Sequence, residues 1–350
     1  MLHFVHLRSW NIETSPFGEE LKRLGTAHRF LITPVNLRYH SRIELLLRIY
    51  PVLFYRMLAI AIRSLILSRP RPDAVVVSSD VEALVFCAIR TLTRRRTLVV
   101  FQTLIVTQRK SRIANMLYLA YYRLIMAAID IGICHARAEL SAYAILFPSH
   151  AHKLVSVPYG ITVNNRDVLT ATPPLGDGVP VIVTAGRSGR DYPTLARAII
   201  GLPCRLKIIC DVAAPLVGVP FSSQIEVVDH CFDDDYLRTL AGAAFVVLPL
   251  GIDDISAGQM VLLQAAALGR AVIITRTTTT VDYAIHEQDA LLVGISNISA
   301  LREAIVRLLD DPALCIQLGA AASDRFDRDY STEAYVRSIV SVIEARCSGA

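Results

Sequence analysis

Short apolar runs rich in β-branched residues recur along this 350-residue chain, and stretches with helical spacing separate them. Most of the runs are apolar almost without interruption, as strands covered on both faces are. Strands that alternate with helices are typical of βαβ units and parallel sheets. Two successive sets of six therefore predict an α/β fold of two doubly wound domains. The predicted strands are Leu2–Leu7, Phe30–Thr33, Ala74–Ser78, Thr97–Gln102, Ile129–His135, Leu154–Val157, Val179–Ala185, Leu206–Cys210, Ile225–Asp229, Ala244–Leu248, Ala271–Thr275 and Leu291–Val293.

A segment rich in proline and glycine after residue 170 breaks both periodicities and separates the two sets of strands. We predict an N-terminal domain over residues 1–165, a linker over 166–180 and a C-terminal domain over 181–329. Residues 330–350 are predicted to form a last helix that packs back on the N-terminal domain, with Ser331 as its N-cap.

Composition excludes several classes of protein. With 53% hydrophobic and 19% charged residues, the chain can bury a large core and is not of the disordered class. Its longest run without a charged residue, Ile255–Gly269, has 15 residues, whereas a membrane span needs about 20. The first residues lack the pattern of a secretory signal. Because the seven cysteines are scattered and form no C-x-x-C pair, we expect free thiols in a reducing cytoplasm.

Charge is distributed unevenly along the chain. Residues 1–158 carry 21 Lys/Arg against 9 Asp/Glu, which gives +12, and the remainder carries 15 against 22, which gives −7. In the basic part, two apolar helices are edged by Arg56 and Arg63, and by Arg112 and Arg123. Such helices suit an anionic membrane surface, but they would equally serve to cover a sheet with their arginines in water. Since no nucleic-acid-binding motif accompanies the charge, nucleic acid is not an expected partner.

One candidate site follows a strand of the second set. Gly186 and Gly189 allow a tight turn, which places Arg187 and Arg190 at the C-terminal end of the strand. Ligands of open α/β sheets bind at that edge, and forked guanidinium groups match the oxygens of a diphosphate. The alternative is a solvated loop with ordinary arginines.

A second candidate site lies at the start of a charge-free helix that ends at Gly269. Ser256 and Gln259 have the spacing of a capping box, and Gly258 leaves the backbone open to close approach. A helix N-terminus at this position can bind an anion, although a capped core helix would have the same pattern. Gln264 interrupts the apolar run of this helix and needs a hydrogen-bond partner, such as a ribose hydroxyl or a backbone carbonyl.

Taken in order, these motifs and their flanking segments resemble the nucleotide-sugar-binding domain of retaining GT-B glycosyltransferases of the family 4 type, the group 1 glycosyltransferases. The resemblance implies a GT-B-like fold, that is, two Rossmann-like domains with an interdomain cleft. The matching segments are Val157–Ile161, Gly186–Leu195, Tyr236–Leu250, Ser256–Gly269 and Thr275–Tyr283.

The resemblance also implies roles for single residues. Arg187 and Arg190 fall on the diphosphate clamp and would be catalytic. Ser256 and Gln264 stand where the family has two glutamates, the first near the donor sugar and the second on the ribose. The implied donor-binding residues are Gly186, Ser256, Ala257, Gly258, Gln259, Met260 and Gln264.

The implied reaction is transfer of a hexosyl group from a nucleotide-diphosphate sugar to a lipid-linked or cell-surface glycan, with retention of configuration. The resemblance implies neither a metal nor another cofactor. We expect a cytoplasmic protein, peripheral at the inner membrane face. The replacement of both glutamates, by Ser256 and Gln264, leaves two alternatives open. These are a catalytically weak GT-B subunit that acts as a partner, and a GT-B nucleotide-sugar epimerase.

Overall fold

A computed structural model of the chain describes residues 1–6, 15–32, 50–106, 109, 111–253 and 257–348. The predicted donor-binding residue Ser256 lies outside these residues. The chain forms two compact units, of which the first comprises Met1–Tyr159 with Tyr335–Ala350 and the second Gly160–Ala334. Each unit contains one six-stranded sheet in which every strand pair is parallel.

The sheet of the first unit has the order β2-β1-β3-β4-β5-β6. Its strands are β1 (Leu2–His6), β2 (His28–Ile32), β3 (Ala74–Val77), β4 (Leu98–Phe101), β5 (Ile131–Cys134) and β6 (Leu154–Ser156). The helices that accompany them are α1 (Pro16–Arg23), α2 (Tyr50–Ile62, continued by a π-helical turn over Arg63–Leu67), α3 (Asp80–Leu92), α4 (Arg112–Ala128) and α5 (Arg137–Leu146).

The sheet of the second unit has the order β12-β11-β10-β7-β8-β9. Its strands are β7 (Val181–Ala185), β8 (Arg205–Ile209), β9 (Ile225–Val228), β10 (Phe245–Leu248), β11 (Val272–Thr275) and β12 (Leu291–Val293). Its helices are α6 (Arg166–Thr170), α7 (Tyr192–Ala198), α8 (Asp233–Ala241), α9 (Gln259–Ala267), α10 (Ile298–Asp310) and α11 (Pro312–Arg325), and the last helix of the chain is α12 (Thr332–Ser348).

The prediction of two doubly wound sheets is confirmed, and all twelve predicted strands are present. Their bounds differ from the predicted ones by at most two residues at either end. The strand β2, for example, begins at His28 rather than Phe30 because His28 pairs with Leu2. Most central strands are buried along their whole length, which is why their sequences are apolar without alternation.

The linker predicted over residues 166–180 contains the helix α6 and belongs to the second unit. Arg166 explains its attachment, since the guanidinium contacts the Ala267 carbonyl, the Asp327 carboxylate and Ser323 Oγ. The last helix, α12, is capped by Ser331, whose Oγ accepts from the Ala334 N–H (3.2 Å), as predicted.

From Tyr335 onward, α12 packs on the sheet of the first unit. Its apolar side chains join the core that also contains Phe4 and Val76 from central strands. Among the described helices, none combines the length and the apolar character that crossing a bilayer requires. All seven cysteines are free thiols, as the sequence predicted.

Helix α9 ends in a Schellman motif, as its final glycine predicted. Gly269 has φ +65°, its N–H donates to the Ala266 carbonyl (2.9 Å), and the Arg270 N–H donates to the Ala265 carbonyl (2.9 Å). The Gly269 carbonyl lies against Gly319 of α11, where a Cβ would collide with it. This close approach fixes where α9 ends against the helix that supports it.

We expect Gly319→Ala to destabilise the protein, although alanine is the better helix former. The added methyl has no room at the Gly269 carbonyl, and overpacking of this kind costs about 1–3 kcal/mol. Urea unfolding would measure the change. Ala320→Gly, at the exposed next position, should lose no more than about 1 kcal/mol. A Gly319→Ala protein as stable as the wild type would contradict this account of the packing.

Candidate functional site

Strands β7 and β10 are neighbours in the second sheet, and the chain continues from them toward opposite edges. This reversal is the topological switch point of a doubly wound sheet, where ligands bind outside the carboxyl ends of the strands. The two motifs singled out in the sequence follow these two strands directly. Loop 186–191 connects β7 to α7, and loop 249–258 connects β10 to α9.

The loop after β7 makes the tight turn that its glycines predict. Gly186 has φ +110° and Gly189 has φ +66°, both in the region that side chains disfavour. The buried Tyr192 donates its hydroxyl to the Gly186 carbonyl (2.6 Å). Asp191 then caps α7 by accepting from the Thr194 N–H (3.1 Å). The turn is thus held at both ends.

Backbone hydrogen bonds join this loop to the one after β10. The Gly251 N–H donates to the Gly189 carbonyl (2.9 Å), and the Asp191 N–H donates to the Pro249 carbonyl (3.0 Å). Between these bonds, Arg190 and Leu250 form an antiparallel bridge. The two sequence motifs therefore form one structure at the switch point.

Arg190 is held inside this structure rather than extended into solvent. Its Nε donates to the Ala185 carbonyl (2.7 Å) and its Nη1 to the Ser188 carbonyl (3.0 Å). Burial lowers the pKa of its guanidinium, while nearby tyrosines oppose that shift. A Cβ at Gly186 would lie 2.5 Å from Arg190 Nη2, so the side chain also requires glycine there.

Arg187 has a different environment, although the sequence makes the two arginines equivalent. It is 62% exposed, and its Nε pairs with the Asp211 carboxylate at 3.0 Å. Arg187 is therefore an exposed, ion-paired charge at the rim of the site, whereas Arg190 is a fixed part of it.

Helix α9 begins at the same place. Gly258 is its N-cap with φ +89°, so the helix starts only at Gln259, which occupies the first helical position instead of the third. The left-handed backbone at Gly258 cannot continue a helix, which is the physical reason for this difference. Ser256, the other member of the predicted capping box, lies outside the described residues. No side chain of the described residues caps this helix, and its start is the positive end of the helix dipole.

The predicted donor loop contacts the arginine loop. A Cβ at Gly189 would lie 3.5 Å from the Ala257 Cβ, and one at Gly258 would lie 3.8 Å from Arg190 Nη1. Gln259 is half-buried and Met260 is exposed in the first turn of α9. The structure thus brings together Gly186, Gly189, Arg190, Ala257 and Gly258.

Gln264, on the same helix, has a partner that the sequence did not predict. The Tyr236 hydroxyl of α8 donates to Gln264 Oε1 at 2.9 Å. Burial raises the pKa of the Tyr236 hydroxyl, and the positive charge of Arg190 opposes that shift. Sequence spacing could not find Tyr236, because it lies on another helix 28 residues away.

The loop after β10 is also tied to the loop after β11. The Thr278 N–H donates to Asp253 Oδ1 (2.6 Å), and the Thr278 hydroxyl donates to the Asp253 carbonyl (3.1 Å). Among the described residues, no group of three or more His, Cys, Asp or Glu is arranged to hold a metal ion. What the site offers is positive charge: the positive end of a helix dipole lies beside a fixed guanidinium.

Residues 181–311 match the family described as Glycosyl transferases group 1, over the part of the chain that contains these loops. This segment of the chain is similar to the group 1 glycosyltransferases, which confirms the resemblance that the sequence motifs indicated. No curated protein matches the sequence.

Solved structures resemble the chain over nearly its whole length. Sucrose-phosphate synthase from Thermosynechococcus elongatus is 19% identical with a TM-score of 0.71, covering 100% of this chain and 99% of that one. The UDP-forming α,α-trehalose-phosphate synthase from Burkholderia vietnamiensis is 11% identical, with a TM-score of 0.69 and coverages of 98% and 99%. Anabaena HepE in complex with UDP-glucose is 11% identical, with a TM-score of 0.65 and the same coverages. At these identities the likeness shows the fold, which is GT-B-like as predicted.

The two arginines of the loop after β7 should contribute very differently to the stability of the protein. Arg190→Ala removes two bonds from a charged group to backbone carbonyls and should cost about 1.5–3 kcal/mol. Arg187→Ala removes an exposed ion pair and should cost less than about 1 kcal/mol. Chemical unfolding of both variants measures the difference. Equal losses would show that Arg190 is not a fixed part of the site.

Proposed function

We propose that this glycosyltransferase is a retaining hexosyltransferase whose donor is a nucleotide-diphosphate sugar bound at the switch point of the second sheet. One observation carries the proposal. The N-terminus of α9 and the fixed Arg190 guanidinium meet at the carboxyl ends of β7 and β10. A diphosphate is the ligand whose charge and oxygens complement both groups.

The same groups would act on the reaction. As the glycosidic bond of the donor breaks, negative charge develops on the departing diphosphate. Arg190 and the α9 N–H groups are positioned in advance to stabilise that charge, which is the largest source of catalysis in many enzymes. Arg187, which is exposed, would exchange its ion pair with Asp211 for the diphosphate once the donor is bound. In this proposal neither a metal nor another cofactor takes part.

Two of the solved structures that resemble this chain support testing a uridine nucleotide first as the donor nucleotide. HepE was solved with UDP-glucose, and the trehalose-phosphate synthase is described as UDP-forming. Because Gln264 stands where the resemblance implies a ribose-binding glutamate, it supports the first alternative to this proposal, a catalytically weak subunit. An epimerase would convert the donor sugar without any acceptor, so an assay with donor alone distinguishes that second alternative.

For the acceptor, we propose a lipid-linked or cell-surface glycan reached at the inner face of the membrane, from the cytoplasm. Helix α4 supports this proposal. Four of its apolar side chains are more than 60% exposed, and Arg112 and Arg123 lie about 20° apart along one edge of their face. An apolar face edged by arginines matches a bilayer that contains anionic lipid. The four side chains are Ile113, Met116, Leu117 and Leu124.

Binding of the diphosphate should depend on Arg187. We expect Arg187→Ala to weaken the binding of UDP about tenfold and to leave the binding of uridine unchanged, because the lost interaction is a charge-assisted bond to phosphate. Titration calorimetry with both ligands measures the difference. Arg197→Ala, which removes an exposed charge from α7, is the matched control and should bind UDP like the wild type. Unchanged affinity of Arg187→Ala for UDP would remove Arg187 from the site.

The wild type should also sediment with vesicles that contain anionic lipid, and less so at high salt, because the attraction of arginines to the surface is screened. Replacing Met116 and Leu117 by serine should reduce the binding that persists at high salt. Arg112→Gln/Arg123→Gln should reduce the binding at low salt. The control is Arg94→Gln/Arg96→Gln, which removes the same charge away from α4. If the wild type stays in the supernatant at low salt, the membrane proposal is wrong.

A further inference from the structure

Strand β10 is followed by a proline, so the chain loses a backbone hydrogen-bond donor at the point where the strand ends. The pairing of β10 with β11 stops at Leu248 and Ile274. Pro249, the next residue, has no N–H to donate. The following N–H is that of Leu250, a residue that is only 1% exposed. A backbone N–H in such a position needs a partner within the protein.

The side chain of Thr275, the last residue of β11, supplies that partner. Its Oγ1 accepts from the Leu250 N–H at 2.8 Å, and both residues are buried. The Thr275 carbonyl accepts from the Thr280 hydroxyl, also at 2.8 Å, which holds the threonine at the end of its strand. A hydroxyl oxygen therefore takes the place that a backbone carbonyl has in a continued strand pair.

Leu250 connects this hydrogen bond to the candidate site. Its backbone forms the antiparallel bridge with Arg190. Its side chain lies beside the start of α9, since a Cβ at Gly258 would lie 3.6 Å from both Leu250 Cδ1 and Leu250 Cδ2. The same Cβ would lie 3.8 Å from Arg190 Nη1. Arg190 and the start of α9 therefore both lie against Leu250.

We propose that Thr275 is a positioning residue for the diphosphate, because its hydroxyl holds Leu250 where Arg190 and the start of α9 can contact the phosphates together. The inference rests on the proposed function, since it takes the ligand to be a nucleoside diphosphate. Thr275 acts through Leu250 and does not itself contact the ligand. A valine at this position would leave the Leu250 N–H buried without a partner, and the loop would move to satisfy it. The two positive groups would then no longer be aligned on one diphosphate.

The test compares two buried threonines on strands of the same sheet. Thr275→Val removes the hydroxyl with little change of shape, and Thr275→Ser keeps it. The matched control is Thr184→Val in β7, because the Thr184 hydroxyl is buried but has no hydrogen-bond partner in the described part of the chain. Titration calorimetry measures the affinity of each variant for UDP and for uridine, and thermal unfolding measures its stability.

We expect Thr275→Val to weaken the binding of UDP about fivefold and to leave the binding of uridine unchanged, because only phosphates contact the two positive groups. Thr275→Ser and Thr184→Val should bind UDP like the wild type. Leu250→Val keeps the backbone N–H but lacks the Cδ atoms beside Gly258, so it should also weaken UDP more than uridine. This variant tests the inference even if Thr275→Val does not fold.

Thr275 would be merely structural, and the inference wrong, if Thr275→Val lowered the melting temperature but left the affinity for UDP unchanged. The inference would also be wrong if Thr275→Val weakened both ligands equally, or if Thr275→Ser or Thr184→Val weakened UDP as much as Thr275→Val does. Unchanged binding of UDP by Leu250→Val would contradict it too. In all these outcomes the wild type still binds UDP. A wild type that binds neither UDP nor another nucleoside diphosphate would instead refute the proposed function.

Discussion

The backbone pairing between the loops after β7 and β10 is the interaction on which the candidate site depends. Two hydrogen bonds, Gly251 N–H to the Gly189 carbonyl and Asp191 N–H to the Pro249 carbonyl, hold the loops together. Each bond is modest in energy, but together they fix the position of Arg190 relative to the start of α9. The sheet order supplies the rest, because only at the switch point do two such loops leave adjacent strands in different directions.

The start of α9 differs from the starts of α3 and α5 in its side-chain capping. In the first unit, Glu82 accepts from the N–H groups of Ser78 and Ser79 at the start of α3 (2.9 and 3.0 Å). Glu139 does the same at the start of α5, with the N–H groups of His135 and Ala136 (3.0 and 3.1 Å). At both of these helix starts, a glutamate side chain of the same helix already accepts from backbone N–H groups. At the start of α9, Gly258 is the N-cap and no side chain of the described residues caps the helix.

Much of the fold could be predicted from the sequence because its strands are buried on both faces. Continuous apolar runs such as Val272–Thr275 give a signal that does not depend on distant residues. The switch point could likewise be located, since the glycines of loop 186–191 mark a turn after a strand. The family model that matches residues 181–311 agrees with that assignment.

The sequence predictions that failed concern features set by tertiary contacts, which the spacing of residues along the chain does not encode. The spacing of Ser256 and Gln259 placed the helix start too early, because a local pattern does not register the left-handed backbone at Gly258. Arg187 and Arg190 were equivalent in the sequence, yet only Arg190 is enclosed by backbone carbonyls. The partner of Gln264 was missed because Tyr236 approaches from another helix, and tertiary packing alone brings the two side chains together.

The central claim is that a nucleoside diphosphate binds with its phosphates at the start of α9. Amide NMR on the ¹⁵N-labelled protein tests it most directly, with UDP and uridine as the two ligands. The account predicts that UDP shifts the Gly258 and Gln259 amides strongly and that uridine shifts them little, because only the diphosphate accepts from these N–H groups. Shifts by UDP that are confined to the helix starts of the first unit, with Gly258 and Gln259 unmoved, would contradict it.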